Sequence, residues 1–318
     1  MLLRVCVGLV AAAALASACT LQEASSRVDS TAAVQRPSTR AWNPNTWQPP
    51  VVDSTPDDPF EVAVYRGLAL LTHTRDSLPA YVGGNLNCTS CHLDEGRRPN
   101  AAPLVGAVAR FPKFMDRSGA VVPIEDRINY CFTRSLAGSK LPSDSREMQD
   151  IVAYLAFIST DVPMGEHVRG EGLAKMPPMT GDSSRGHRLF TDNCVRCHGN
   201  NGAGLGPIPA LWGPQSFSIG ASMARVERAA SFIRHNMPFD RPGTLTDQES
   251  YDVAAYITAM TRPDSPGKES DWPTGGAPAD VPYDTKGHKA YRPPKVLART
   301  TNAAAAIVAA PASVLRNK

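Results

Sequence analysis

The sequence predicts an all-α protein made of two tandem copies of one small helical module, with extended segments at both ends. Three observations predict it. The pattern C-x-x-C-H occurs twice, as Cys88-Thr-Ser-Cys91-His92 and Cys194-Val-Arg-Cys197-His198. A helix-patterned stretch precedes each copy, DPFEVAVYRGLALLTHT (58–74) and RGHRLFTDN (185–193). A second amphipathic stretch follows each, REMQDIVAYLAFI (146–158) and DQESYDVAAYITAM (247–260), with apolar residues at helical spacing.

In chain order, residues 1–18 (MLLRVCVGLVAAAALASA) carry an early Arg4, an apolar run and small residues at the end. This is the pattern of a secretory signal peptide, and the run is too short for a spanning helix. Ordinary cleavage after Ala18 and acylation of Cys19 as a lipid anchor both suit this ending. Residues 19–56 are rich in Ser, Thr and Pro and are expected to form a flexible tether. The formal net charge of +3 drops by one when Arg4 leaves with the leader. Such a balance argues for no nucleic-acid partner.

Cysteine arithmetic sharpens the two modules. Of seven cysteines, Cys6 leaves with the leader and Cys19 sits at its boundary. Four more fill the repeated motif, which is the attachment signature of covalent c-type haem. Two thiols three residues apart meet the two vinyl groups of one porphyrin, and the next residue turns its imidazole to the iron. Zinc ribbons space their cysteine pairs far more closely than the hundred-odd residues here, and a redox disulfide needs no histidine. Each module is therefore expected to be a class I-type cytochrome c domain, 57–175 and 176–263, binding one of two haem c groups. Residues 264–295 are Pro/Gly-rich and are expected to wrap the surface as extended chain, with 296–318, including the run Ala303 to Ala306, as a disordered tail.

Haem iron takes a ligand on its second face or leaves that face open. His92 and His198 supply the first ligand in each module. In the second module Met237, followed by Pro238, is the candidate for the other, against the alternative of a gap-filling core methionine. It lies 39 residues after His198, and the same count from His92 lands on Cys131, the one cysteine left over. Cys131 is thus expected near the first iron as a thiolate ligand; the alternative is an inert buried thiol. A thiolate pushes electron density onto iron whereas a thioether raises the potential, so electrons should run from the first module to the second.

The segment around Cys131 is locally basic, with Arg110, Lys113, Arg117, Arg127, Arg134 and Lys140 against Asp116, Glu125 and Asp126. On a helix Arg127, Cys131 and Ser135 share one face. Arginine's planar fork suits a sulfate-like oxyanion, and arginines beside a thiol lower its pKa. A solvated basic helix face, with Asp126 pairing locally, is the competing reading.

Taken together, the segments 85–112 (NLNCTSCHLDEGRRPNAAPLVGAVARFP), 125–142 (EDRINYCFTRSLAGSKLP), 193–204 (NCVRCHGNNGAG), 209–225 (PALWGPQSFSIGASMAR) and 232–238 (FIRHNMP) resemble the dihaem thiosulfate dehydrogenases, periplasmic cytochromes c. The resemblance spans about residues 56–295. It implies a periplasmic enzyme that couples two thiosulfates to tetrathionate with release of two electrons, a reaction some members run in reverse. It implies His92/Cys131 ligation at the active-site haem iron, and a substrate pocket lined by Arg117, Arg127 and Ser135, with Lys140 near a further pocket position. It also implies an external electron acceptor, such as a small cytochrome c or a high-potential iron–sulfur protein. Some members carry a lysine before the second-haem methionine that binds oxidised iron; this chain has Asn236 there, so Met237 should serve in both redox states.

Two other readings compete. A pure electron-carrier dihaem cytochrome needs neither the thiol nor the arginines. A relative of the cysteine-ligated haem subunit of the periplasmic thiosulfate-oxidising complex would rely on a partner cytochrome, which the complete second module makes unnecessary.

Overall fold

Asp58 starts the first helix: its carboxylate accepts the backbone N–H of Glu61 at 2.9 Å, ahead of α1 (Pro59–Thr72). A short α2 (Thr74–Ser77) leads to the first C-x-x-C-H, whose Cys88–Ser90 form a single 3₁₀ turn. There follow a strand pair, β1 (Lys113–Met115) and β2 (Ala120–Val122), then α3 (Ile124–Tyr130), a π-turn at Cys131–Ser135, and α4 (Arg146–Phe157). The second half repeats the plan with α5 (Ser183–Asn193), α6 (Val195–His198), α7 (Val226–Asn236) and α8 (Asp247–Thr258). The structure, a computed structural model, describes residues 42–52 and 58–293. The leader, Cys19, much of the expected tether and the tail 296–318 lie outside the described residues.

Each half is built on one helix pair, and the two pairs use the same contact. Gly67 of α1 lies against the Asp150 carbonyl of α4, and Gly186 of α5 against the Asp252 carbonyl of α8. A Cβ at either glycine would come within 2.1 and 1.9 Å of those oxygens. The residue before each glycine is an arginine that grips the same aspartate with two hydrogen bonds: Arg66 to Asp150 at 2.7 and 2.6 Å, and Arg185 to Asp252 at 2.7 and 3.0 Å. Close backbone approach is what glycine permits, and the paired fork of arginine fixes the crossing. Val64, Leu71, Met148, Ile151, Tyr154 and Leu155 fill the first core, and Phe190, Tyr251, Val253 and Ile257 the second.

Where the halves meet, Leu93 and Ala101 of the first pack with Phe232 of the second, bordered by Met237. The Asn236 side chain, 1% exposed, donates to the Asn100 carbonyl at 3.1 Å. Phe217, Ala221 and Ala224, from the second half of the chain, pack into the first core.

The structure adds to three expectations. The protein is mostly helical, with one short strand pair beside the helices: β1 and β2 are antiparallel in register Lys113↔Val122 to Met115↔Ala120, turning at Gly119 with φ +62°. The expected tether is not free throughout, because Trp42, Trp47 and Val52 pack on the first core and the Trp47 indole N–H donates to the Thr160 carbonyl at 3.0 Å. Two tryptophans bury enough apolar area to hold a segment that its Ser/Pro content would leave loose. Among its described residues the segment after α8 has a 3₁₀ turn at Lys268–Ser270 and builds a small core of its own. Trp272, Val281 and Tyr283 are 7%, 0% and 5% exposed.

Candidate active site

Cys131 is the residue that ends α3, and Met237 is the residue that ends α7. The equal count from the two histidines therefore corresponds to an equal place in the two modules. The local backbone differs: Cys131 stays helical (φ −72°, ψ −43°) and opens a π-turn closed by Leu136 N–H to its own carbonyl at 2.8 Å, whereas Met237 is extended (φ −128°, ψ 151°). A π-turn inside a helix is uncommon and often sits at a functional site.

Three cysteines and a histidine gather in the first module. Burial pushes the Cys88 thiol up to about 11 and the Cys91 thiol to about 12, each raised further by the nearby Cys131 charge. Cys131 behaves in the opposite way. Burial alone would raise it too, but the Arg127 guanidinium and then the His92 ring bring it down to about 6. Arg127 Nη1 donates to the Cys131 sulfur at 3.1 Å, four residues away on α3. Cys131 is thus the most acidic of the three clustered thiols.

Each histidine of the two motifs is oriented through its Nδ1. His92 Nδ1 meets the Ala102 carbonyl at 2.5 Å, and His198 Nδ1 meets the Pro209 carbonyl at 3.1 Å. A carbonyl only accepts, so each Nδ1 donates, and each ring is oriented with its Nε2 turned away from that carbonyl. Ala102 holds φ +49°, an unusual conformation for alanine, and its N–H is tied to the Gly172 carbonyl at 2.8 Å. Among the described residues no three of His, Cys, Asp or Glu converge on one point as a closed metal cage. In the first module the His92 imidazole lies beside Cys131 and the paired Cys88 and Cys91 thiols, a donor set that fits a covalently attached haem c. In the second module Cys194, Val195 and Met237 border the same apolar cluster as Leu211 and Trp212.

Two family models match different parts of the chain. Residues 82–164 match the SoxA/TsdA cytochrome c domain, and residues 181–257 match the family described as cytochrome c oxidase, cbb3-type, subunit III. The chain is 42% identical over 239 residues to the thiosulfate dehydrogenase of Psychrobacter arcticus, covering 73% of each chain. The chain belongs to the thiosulfate dehydrogenase family. It is also 38% identical to the thiosulfate dehydrogenase of Allochromatium vinosum, covering 87% of that protein. Among solved structures it resembles thiosulfate dehydrogenase (TsdBA) from Marichromatium purpuratum, with a TM-score of 0.69 and 31% identity. There the match covers 74% of this chain and 55% of the longer one.

Of the pocket residues expected from this family, Arg127 stands against Cys131 as the helix spacing predicts. Ser135 closes the π-turn and is half-buried, and Lys140 is exposed further along the same segment. Arg117 is differently engaged. Its Nε donates to Asp271 at 2.9 Å, its Nη2 donates to the Gly220 carbonyl and to the Tyr283 hydroxyl at 2.6 Å each, and the guanidinium stacks on Trp272. Asp271 also holds Arg134, whose guanidinium lies over the Tyr130 ring. Asp271 and Tyr283 carry no signal in the sequence, and the carbonyls of Ala102 and Pro209 carry a faint one, since they follow their histidines by 10 and 11 residues.

Proposed function

We propose that this chain is an exported, periplasmic thiosulfate dehydrogenase that joins two thiosulfates into tetrathionate and releases two electrons, a reaction reversible in principle. The observation that carries this reading is the Arg127–Cys131 pair facing His92. A pure electron carrier has no use for a thiol held acidic by a half-buried guanidinium, whereas sulfur–sulfur bond formation needs a sulfur nucleophile.

Cys88, Cys91 and His92 would hold one haem c of the class I type, with Cys131 as the second iron ligand. Cys194, Cys197, His198 and Met237 would hold the other. When bound, these groups supply the one-electron acceptors for a two-electron coupling. Arg127, with Ser135 and Arg117 nearby along the chain, binds the dianion next to the thiol. The outer sulfur of thiosulfate bonds to Cys131 Sγ with loss of two electrons, giving a cysteine S-thiosulfonate. A second thiosulfate attacks that outer sulfur, tetrathionate leaves, and the Cys131 thiolate is restored. The guanidinium groups offset the repulsion between two dianions, the main electrostatic obstacle to the second step. Asn236 brings no amine to the second iron, so Met237 serves in both redox states. Electrons leave through the second module to a small cytochrome c or a high-potential iron–sulfur protein. Cys19 is the point at which a lipid would tether the mature chain.

The direct test is to supply the purified dihaem protein with thiosulfate and ferricyanide. One tetrathionate for every two thiosulfates and two ferricyanides is the expected stoichiometry; absence of thiosulfate-dependent reduction would leave only an electron carrier.

A further inference from the structure

The cluster around Asp271 joins three distant parts of the chain. Arg117 comes from the β1–β2 turn, Arg134 from the π-turn that begins at Cys131, and Asp271 and Tyr283 from the segment after α8. Asp271 is 4% exposed on its side chain. One of its oxygens takes Arg117 Nε at 2.9 Å and the Tyr283 hydroxyl at 2.7 Å; the other takes Arg134 Nη2. Each guanidinium lies on an aromatic ring, Arg117 on Trp272 at 5.0 Å and Arg134 on Tyr130 at 4.7 Å. The π-turn itself is fastened on the same side, where Arg134's carbonyl accepts the Ser218 N–H at 3.1 Å.

Charge and hydrogen bonding are both left incomplete in this cluster. Two guanidiniums share one carboxylate, and burial keeps the Tyr283 hydroxyl protonated, so a net positive charge remains. Arg134 Nε is buried without a protein partner. Arg117 spends Nε and Nη2 on its protein partners, while Nη1 takes part in none of those bonds. A purely structural ion pair balances its charges and satisfies its donors, because uncompensated buried charge and orphaned donors are costly. A surplus cation with unused donors, held rigid on the turn that presents the thiolate, suits a small anion.

We propose that Asp271 is a positioning residue of the Cys131 site, holding Arg117 and Arg134 as a paired cradle for a sulfur oxyanion, so that the segment after the second module takes part in substrate binding. The inference rests on the thiosulfate reading above and adds Arg134, Asp271 and Tyr283 to it. Thiosulfate itself is the probe, assayed with ferricyanide on the full-length dihaem protein. Asp271→Ala frees both arginines and is expected to raise KM about tenfold or more, with kcat within about threefold. Asp271→Asn, which keeps the shape, should fall between, and Tyr283→Phe should raise KM about threefold. The electron paramagnetic resonance signal of the thiolate-ligated iron should stay unchanged in all three. KM within twofold of the parent in Asp271→Ala overturns the proposal, as does loss of the thiolate signal, which would make the residue a support of Cys131 alone. If Asp271→Ala does not fold, Asp271→Asn and Tyr283→Phe decide by the same criterion. Arg127→Ala, run in parallel, separates the two claims. A raised KM there with unchanged Asp271 variants sinks only this inference; an unchanged KM there sinks the substrate reading.

Discussion

Arg127 Nη1 stands 3.1 Å from Cys131 Sγ, and the guanidinium brings that thiol down to about 6. The guanidinium offsets a burial that, acting alone on Cys88 and Cys91, drives those thiols the other way. Position relative to one arginine thus sets Cys131 apart from the other two.

Cys131→Gly should abolish thiosulfate turnover while both haems stay attached. Steady-state assay with ferricyanide measures the first and intact mass spectrometry the second. Retained turnover would remove the nucleophile from the mechanism.

Arg127→Ala should lower kcat/KM for thiosulfate by roughly 10²-fold, since it withdraws both the thiolate's partner and an anion contact, together about 2–4 kcal/mol. Arg127→Lys keeps the charge without the fork and should recover only part of the loss. Full recovery by lysine would show that charge alone matters.

Met237→Ala should lower the potential of the second iron centre by on the order of 0.1 V, a fraction of the roughly 0.8 V over which axial ligands tune haem. The first centre should be unmoved. Spectroelectrochemical titration resolves the two, and an unaltered second centre would mean that Met237 is packing only.

Gly186→Ala should destabilise the second module by at least about 3 kcal/mol, because the added carbon would sit 1.9 Å from the Asp252 carbonyl and neither helix can yield there. Differential scanning calorimetry should show one transition falling sharply. A near-parental melting temperature would contradict the tight crossing.

Asp252 sets an acid limit on the same crossing. Burial works against its ionisation, but Arg185, the Asp182 N–H and Gln248 outweigh it and hold the carboxyl below its usual range. A folded pKa below the unfolded value of about 4 gives stability that is present above that value and is lost as pH falls through the folded one. Asp252→Asn should cost about 1–3 kcal/mol at pH 7. The gap between parent and variant should narrow below about pH 4 as the parent's carboxylate protonates. A gap that stays constant down to pH 3 would deny the carboxylate this part.

The sequence by itself determined the elements whose cause is local. The two C-x-x-C-H motifs, the helices that flank them and the matching offsets of Cys131 and Met237 are all written in periodicity and short spacing, and Arg127 reaches Cys131 because one helical turn separates them. The small strand pair, the π-turn and the packing of Trp42 and Trp47 leave no local pattern in the sequence, because each is short and is stabilised by neighbours far along the chain. Only the tertiary structure decided that Arg117 turns to Asp271 across 154 residues and Arg134 to the same carboxylate across 137. The physical reason is that an ion pair needs its partners brought within a few ångströms. For these groups that proximity is created by the packing of two modules and their trailing segment, which no spacing in the sequence encodes.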